Sequence, residues 1–137
     1  MSVPIPDSHK DLLEGPVFVT LVTVMPNGQP QATPVWCNTD GVRVWINSAR
    51  GRQKDKNVQR DPRVTVVAID LQNPYRWMEI RGVVSEITEE GALDHINALS
   101  KLYRGNEDYY AKYPERRGKE TRVIYKITPM HINTNRR

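Results

Sequence analysis

The feature that most constrains the fold is a pair of strand patterns joined by a tight turn near the N-terminus. The run VFVTLVTV (17–24) is rich in β-branched residues, and QATPVWCN (31–38) follows after the hexapeptide MPNGQP. Asn27-Gly28 within that hexapeptide is a strong hairpin signal, because both residues tolerate the backbone conformation that such turns need. Pro34 has no amide hydrogen, so the return strand is predicted to lie at a sheet edge or a bulge. The chain is therefore predicted to begin as an antiparallel hairpin.

Further strand patterns extend this sheet along the chain. VRVWINS (42–48) alternates apolar and polar residues after the turn TDG, and RVTVVAIDL (63–71) is again rich in β-branched residues. WMEIRGVVSEI (77–87) predicts a long strand with a bulge or bend at Gly82, and TRVIYKITP (121–129) predicts the last strand.

The helical patterns are few. PDSHKDLLEG (6–15) predicts a short helix, and a second helix is predicted from an N-cap at Thr88 through about residue 104, with one apolar stripe. A basic helical turn is predicted between the strands 42–48 and 63–71. Many short antiparallel strands with few helices favour a mainly β fold, a small β-barrel, and residues 1–137 are predicted to form one domain.

Composition excludes several classes of protein. Of 137 residues, 38% are hydrophobic and 26% charged, and no apolar run approaches the length of a bilayer span. The single cysteine, Cys37, excludes an internal disulfide and a multi-cysteine metal site, and the absence of a signal-peptide pattern makes the cytoplasm the expected compartment. His9, His95 and His131 are too scattered for a zinc site, so no metal site is predicted. No GxSxG, Walker or GxGxxG element occurs, so the chain shows no catalytic machinery of its own.

Positive charge is concentrated at one strand junction. Residues 50–63 carry six basic and two acidic side chains, a balance of +4 that equals the net charge of the chain; the remainder has 14 of each sign. Arg52 and Lys54 follow the end of a strand and open a predicted helix, where free backbone N–H groups and the helix dipole also favour an anion. A phosphate or carboxylate is the predicted ligand, and a solvated helix face is the alternative. Nucleic acid is disfavoured, because the charge is local and no base-stacking module is recognisable.

Aromatic residues flank the same junction. Trp36, Trp45, Tyr75 and Trp77 lie in or beside the neighbouring strands, and flat side chains of this kind suit a ring-shaped ligand. At least two of them are expected to be core or interface residues instead.

At this point the chain resembles a known family, the split β-barrel flavin and deazaflavin reductases of the pyridoxamine 5′-phosphate oxidase-like superfamily. The likeness runs from FVTLVTVMPNGQPQATPVWC through VWINSARGRQKDKNVQRDPRVTVVAID to WMEIRGVVSEI, and ARGRQKDKNVQRDPRV is its most specific part. Within the superfamily the chain is most similar to the branch that uses coenzyme F420, a deazaflavin with a phosphate and an acidic oligoglutamate tail. The resemblance implies an antiparallel, FMN-binding-protein-like split barrel that forms a homodimer with its cofactor sites at the subunit interface.

The resemblance also implies a set of cofactor-binding residues. Arg52 and Lys54 match the phosphate positions, with Asn47, Ser48, Lys56 and Asn57 nearby. Thr33, Pro34, Val35 and Trp36 match the strand that lines the ring, and Tyr75 and Trp77 match an aromatic segment on the substrate side. The C-terminal HINTNRR is implied to reach the partner's site. Basic groups that could serve the acidic tail are Lys56, Arg60, Arg116 and Arg117.

The function that the resemblance implies is reduction of a small, planar or unsaturated organic acceptor by hydride from reduced F420. Vitamin B6 oxidation is disfavoured, because the chain is short and lacks the C-terminal motif that recognises pyridoxamine phosphate. Two alternatives remain open: an FMN-binding oxidoreductase, and a non-catalytic carrier of F420 or flavin. Tyr75 is the candidate proton donor, and the acceptor could also take its proton from solvent. The natural substrate is not readable from the sequence.

Overall fold

A computed structural model describes residues 1–136 of the chain. Seven strands form one sheet: β1 (Val19–Val24), β2 (Pro30–Val35), β3 (Cys37–Thr39), β4 (Val44–Ala49), β5 (Arg63–Ile69), β6 (Arg76–Thr88) and β7 (Arg122–Arg136). Three α-helices accompany them: α1 (Asp11–Glu14), α2 (Gln53–Arg60) and α3 (Ala92–Arg104). Two 3-10 turns, Tyr109–Ala111 and Pro114–Arg116, lie between α3 and β7.

The sheet is antiparallel throughout, in the order β2-β1-β5-β6-β7-β4-β3. Its two edge strands, β2 and β3, are consecutive in the chain, with Trp36 alone between them. The sheet therefore curls until its edges approach each other, which makes a barrel that is split along one line. We call the link between these edges, residues 35–37, the seam. The prediction of a mainly β, antiparallel split barrel is confirmed.

The predicted strand 31–38 is corrected to two strands. β2 pairs with β1, whereas β3 pairs with β4, so the chain changes partner at Trp36. Alternation of apolar residues cannot reveal a change of partner, because side-chain direction has the same period in both strands. The prediction that Pro34 lies at a sheet edge is confirmed, since β2 is the first strand in the order of the sheet and pairs with β1.

Two other boundaries differ from the sequence patterns. The last strand continues to Arg136 rather than ending at residue 129, because β6 is long enough to pair with it down to Arg76. The third helix begins at Ala92 after Gly91 in the left-handed region (φ 75°), so Thr88 is not its N-cap. The Thr88 hydroxyl instead accepts a hydrogen bond from the Glu90 amide in the preceding turn (3.1 Å). Of the predicted N-terminal helix 6–15, only α1 is α-helical.

The bulge predicted at Gly82 is confirmed by a shift of register between Arg81 and Gly82 in the β6–β7 pairing. A Cβ at residue 82 would lie 2.4 Å from the Thr128 carbonyl oxygen, so the bend requires glycine here.

The core fills the barrel with the inward-facing residues of the strands. Along β1 these are Val19, Leu21 and Thr23, and they are buried, whereas the residues between them are half-buried. Helix α1 adds Leu12 and Leu13, each at most 2% exposed. Burying a side chain of this size contributes about 1.5–3 kcal/mol. The core thereby holds the curved sheet and presents the seam at the surface.

Candidate functional site

A pocket of about 180 Å³ lies beside the seam. It is built from the seam, the strand ends near α2, helix α3 and the 3-10 turns, which are far apart in sequence. One side carries cations and the other carries aromatic and aliphatic side chains. The lining residues are Phe18, Pro34, Val35, Trp36, Asn47, Arg52, Lys54, Ile96, Leu99, Tyr109, Tyr113 and Arg122.

The charged side of the pocket holds three cations and one neighbouring carboxylate. Arg52 immediately precedes α2, Lys54 lies in its first turn, and Arg122 begins β7. Glu120 pairs with both arginines, at 3.2 Å from Arg52 Nη2 and 3.1 Å from Arg122 Nη1. None of the ion pairs within residues 1–136 involves Lys54. The pocket therefore has an excess of about two positive charges.

The pKa of Lys54 responds both to burial and to the neighbouring cations. Burial, and then the nearby charges of Arg52 and Arg122, lower the pKa of the Lys54 ammonium. A bound anion would relieve this repulsion and gain charge-assisted hydrogen bonds. One carboxylate, that of Asp55, already lies at the start of α2, where it accepts hydrogen bonds from the Tyr125 hydroxyl (2.9 Å) and the Gly51 amide (3.2 Å).

A hydrogen-bonded chain holds Arg122 in place. Its Nε donates to Asn47 Oδ1 (2.9 Å), and Asn47 Nδ2 donates to the Ala92 carbonyl (2.9 Å) and to His95 Nδ1 (3.0 Å). His95 Nε2 then donates to Asn38 Oδ1 (2.8 Å), which fixes the neutral tautomer. Burial, followed by the charges of Arg122 and Lys126, lowers the pKa of His95 to about 4. A neutral imidazole therefore positions the pocket arginine.

The aromatic side is centred on Trp36. Its ring stacks on Tyr103 (centroids 5.1 Å apart, 16° between planes) and meets the edge of Tyr109 at 6.0 Å. The Tyr103 hydroxyl donates to the carbonyls of Val17 (2.6 Å) and Cys37 (3.2 Å) and accepts from the Cys37 amide (3.0 Å). Burial raises the pKa of Tyr103 well above its usual range. Through Tyr103, helix α3 thus ties β3 to the segment that leads into β1, and it fixes the tryptophan.

The family model for pyridoxamine 5′-phosphate oxidase matches residues 5–136. The chain belongs to the pyridoxamine 5′-phosphate oxidase family. The resemblance stated from sequence is thereby confirmed at the level of the family.

Solved structures of similar proteins agree with this membership. One named F420 reductase is 28% identical, with a TM-score of 0.77 over 94% of this chain and 98% of its own. A conserved hypothetical protein from Mycobacterium tuberculosis is 27% identical, with a TM-score of 0.76 over 98% and 86% of the two chains. A putative pyridoxamine 5′-phosphate oxidase from Listeria innocua is 25% identical, with a TM-score of 0.69 over 93% and 95%. The search of curated proteins gave no match.

The structure brings half of the predicted cofactor residues of this family member into one pocket. Those that line it are Pro34, Val35, Trp36, Asn47, Arg52 and Lys54. The others lie elsewhere in the chain: Thr33, Ser48, Lys56, Asn57, Tyr75 and Trp77. Their role in binding a cofactor stays a prediction.

The predicted cofactor residues that lie outside the pocket differ in burial and in their hydrogen bonds. Asn57 is completely buried, and its amide donates to Thr23 Oγ1 (3.0 Å) and Gln31 Oε1 (3.2 Å), so it anchors α2 to the first hairpin. Ser48 is also completely buried. Tyr75 is 66% exposed in the β5–β6 connection, close to the half-buried Trp77.

The basic residues that were predicted to serve the acidic tail, and the C-terminal segment, lie in the following surroundings. Arg60 donates to the Val24 carbonyl and Arg117 pairs with Asp108 (2.8 Å), whereas Lys56 is exposed and makes none of the ion pairs described within residues 1–136. The Arg116 guanidinium lies 4.6 Å from the centre of the Tyr113 ring. Residues 131–136 of HINTNRR continue β7, and Arg137 lies outside the described residues.

Sequence reasoning missed six lining residues: Phe18, Ile96, Leu99, Tyr109, Tyr113 and Arg122. The aromatic cluster DYYAKY was visible as a pattern, but nothing local in it indicates that the segment folds back onto the seam. Within residues 1–136, no cluster of His, Cys, Asp and Glu could hold a metal ion, and no helix is long and apolar enough to span a membrane.

Proposed function

We propose that this protein is an oxidoreductase that binds coenzyme F420 at the seam pocket and reduces a small planar or unsaturated organic acceptor. The observation that carries the proposal is the excess of positive charge beside an aromatic wall, with Lys54 outside every ion pair that the structure describes in residues 1–136. Family membership and the similar protein named F420 reductase support the cofactor class.

The residues of the pocket fit an anionic ring compound. Arg52, Lys54 and Arg122 would hold its phosphate, and Trp36 with Tyr109 would border its ring. When bound, reduced F420 supplies a hydride, and the acceptor takes a proton from water to complete its reduction. The protein binds the cofactor and the acceptor, orients them, and excludes water from the pocket. Tyr75 as a proton donor stays a prediction.

F420 is favoured over FMN because its acidic tail offers more negative charge than one phosphate. Beyond the three pocket cations, the exposed Lys56 and the Arg116 guanidinium near Tyr113 supply further positive charge. An FMN-binding oxidoreductase would use the same three cations for its phosphate and needs no further ones. Titration of both cofactors therefore distinguishes the two.

We also propose that two copies of the chain form a homodimer that completes the pocket. Its volume of about 180 Å³ is below the roughly 300–1,000 Å³ typical of ligand sites. The outward side of the sheet carries apolar residues, among them Val22, Val67 and Trp77, whereas their neighbours along each strand face the core. Pro34 of the pocket lies opposite Thr20, and Thr20 lies opposite Val67, so this face reaches the pocket. A second copy on it would border the bound cofactor.

The decisive test is titration of F420 and FMN into the wild type and Arg52→Ala/Lys54→Ala. Each charge-assisted hydrogen bond contributes about 1.5–3 kcal/mol, so the double variant should bind F420 at least about 100-fold more weakly. Binding by the wild type should also weaken steeply with salt. The matched control is Lys10→Ala/Lys101→Ala, which removes the same charge from surface pairs with Asp7 and Glu107.

Four kinds of outcome would contradict parts of the proposal. Equal F420 affinity in the wild type and the double variant would refute the anion site. Tight FMN binding without F420 binding would refute the cofactor. Oxidation of reduced F420 that does not depend on an added acceptor, or no oxidation with any acceptor, would favour the carrier alternative over an enzyme. Light scattering that finds a monomer would refute the dimer.

A further inference from the structure

Arg104, the last residue of α3, places its guanidinium among the aromatic rings that line the pocket. Its central carbon lies 4.8 Å from the centre of the Trp36 ring, 5.2 Å from that of Tyr109 and 5.4 Å from that of Tyr113. All three rings line the pocket, whereas Arg104 does not. The positive charge therefore lies behind the aromatic wall.

Within residues 1–136, no carboxylate forms an ion pair with this guanidinium. The ion pairs within residues 1–136 leave Arg104 out, and the two acidic residues that follow it pair elsewhere: Glu107 with Lys101 (3.9 Å) and Asp108 with Arg117 (2.8 Å). Its Nε and Nη2 are buried and have no hydrogen-bond partner among these residues. The negative charge that faces it is the partial charge of the α3 C-terminus and of the ring faces.

An unpaired, half-buried cation acts over a longer distance than a paired surface charge. Water screens its buried side little, and the two buried N–H groups without a partner cost free energy that nothing described in the chain repays. The neighbouring Arg122 guanidinium also lies over Tyr109, at 5.1 Å from the ring centre, so two arginines contact this ring. The positive potential therefore extends from the phosphate-binding side to the ring side of the pocket.

We infer that Arg104 is a specificity-determining positioning residue that makes the pocket select planar rings carrying negative charge on the ring itself over neutral rings. It acts through Trp36, Tyr109 and Tyr113, which it holds in place, and through its uncompensated charge. The inference rests on the proposed function, since the deazaflavin ring of F420 carries an ionisable phenol.

The probe is the deazaflavin ring with its ribityl chain, without the phosphate and the glutamate tail. Its visible absorbance reports ionisation of the phenol, so a pH titration of the bound probe gives the pKa of that group. We expect wild-type protein to lower this pKa by about one relative to the free probe, as a cation at roughly 10 Å in a poorly screened site would. Arg104→Met keeps the length and the ring contacts and should abolish most of the change, whereas Arg104→Lys should retain it.

The outcomes separate this inference from the proposed function. A bound probe whose phenol has the same pKa as the free one, or a higher one, overturns the inference from wild type alone, even where a variant fails to fold. Equal values in wild type and Arg104→Met overturn it as well. In either case F420 binding that still depends on Arg52 and Lys54 leaves the proposed function intact. If wild type binds neither F420 nor the probe, both fail together.

Discussion

His95 makes the stability of this protein depend on pH between about 6.5 and 4. The imidazole is 7% exposed, and its pKa falls from 6.5 to about 4 in the folded chain. Between these values the unfolded chain binds a proton that the folded chain does not. Stability is therefore complete above pH 6.5 and is lost as the pH falls towards 4.

The size of the effect follows from this difference in pKa. A pKa difference of one corresponds to about 1.4 kcal/mol, so the full loss is about 3 kcal/mol, and about 2 kcal/mol is already lost at pH 5. Protonation would also place a second N–H against Asn47 Nδ2, which donates to the same nitrogen. Asn47 would have to turn away and release Arg122. We therefore expect anion binding to weaken in the same window.

The assay is urea unfolding at pH 7, 6 and 5 at constant ionic strength, with His95→Gln as the matched variant. Glutamine offers one acceptor and one donor but does not titrate, so its stability should fall less steeply with acidity. The wild type should lose about 2 kcal/mol more than the variant between pH 7 and 5. Equal losses of unfolding free energy in the wild type and in His95→Gln would refute the buried, neutral histidine and its role in holding Arg122.

The remaining predictions concern stability, measured by urea unfolding at pH 7. Tyr103→Phe should cost about 2–4 kcal/mol, because the Cys37 amide and carbonyl at the seam and the Val17 carbonyl before β1 lose their partner; a cost under 1 kcal/mol would contradict the stabilising role of this hydroxyl. Gly82→Ala should cost about 1–3 kcal/mol, since its Cβ would meet the Thr128 carbonyl, whereas Gly15→Ala should change little. Asn57→Ala should cost about 2–3 kcal/mol and weaken F420 binding, because this amide anchors α2. Unchanged F420 binding would show that this anchor does not affect the pocket.

Local patterns in the sequence predicted most of the strands and the basic residues on one side of the candidate pocket. Asn27-Gly28 predicted the hairpin, Pro34 predicted an edge strand, and the concentration of basic residues at 50–63 predicted an anion site at a helix start. Turn chemistry, side-chain period and charge density are properties of neighbouring residues, so they can be read without knowing the fold. The family resemblance added the split barrel and the cofactor class.

The tertiary structure alone decided where the two edges of the sheet meet and what surrounds them. The change of strand partner at Trp36 creates the seam, and Arg122 and Tyr109 reach it from segments about 70 to 90 residues further along the chain. The unpaired guanidinium of Arg104 has no sequence signal either, since a basic residue in the last turn of a helix is ordinary. Such contacts depend on how the curved sheet and α3 pack together. That packing is a long-range property, which the period of a strand or the composition of a loop does not encode.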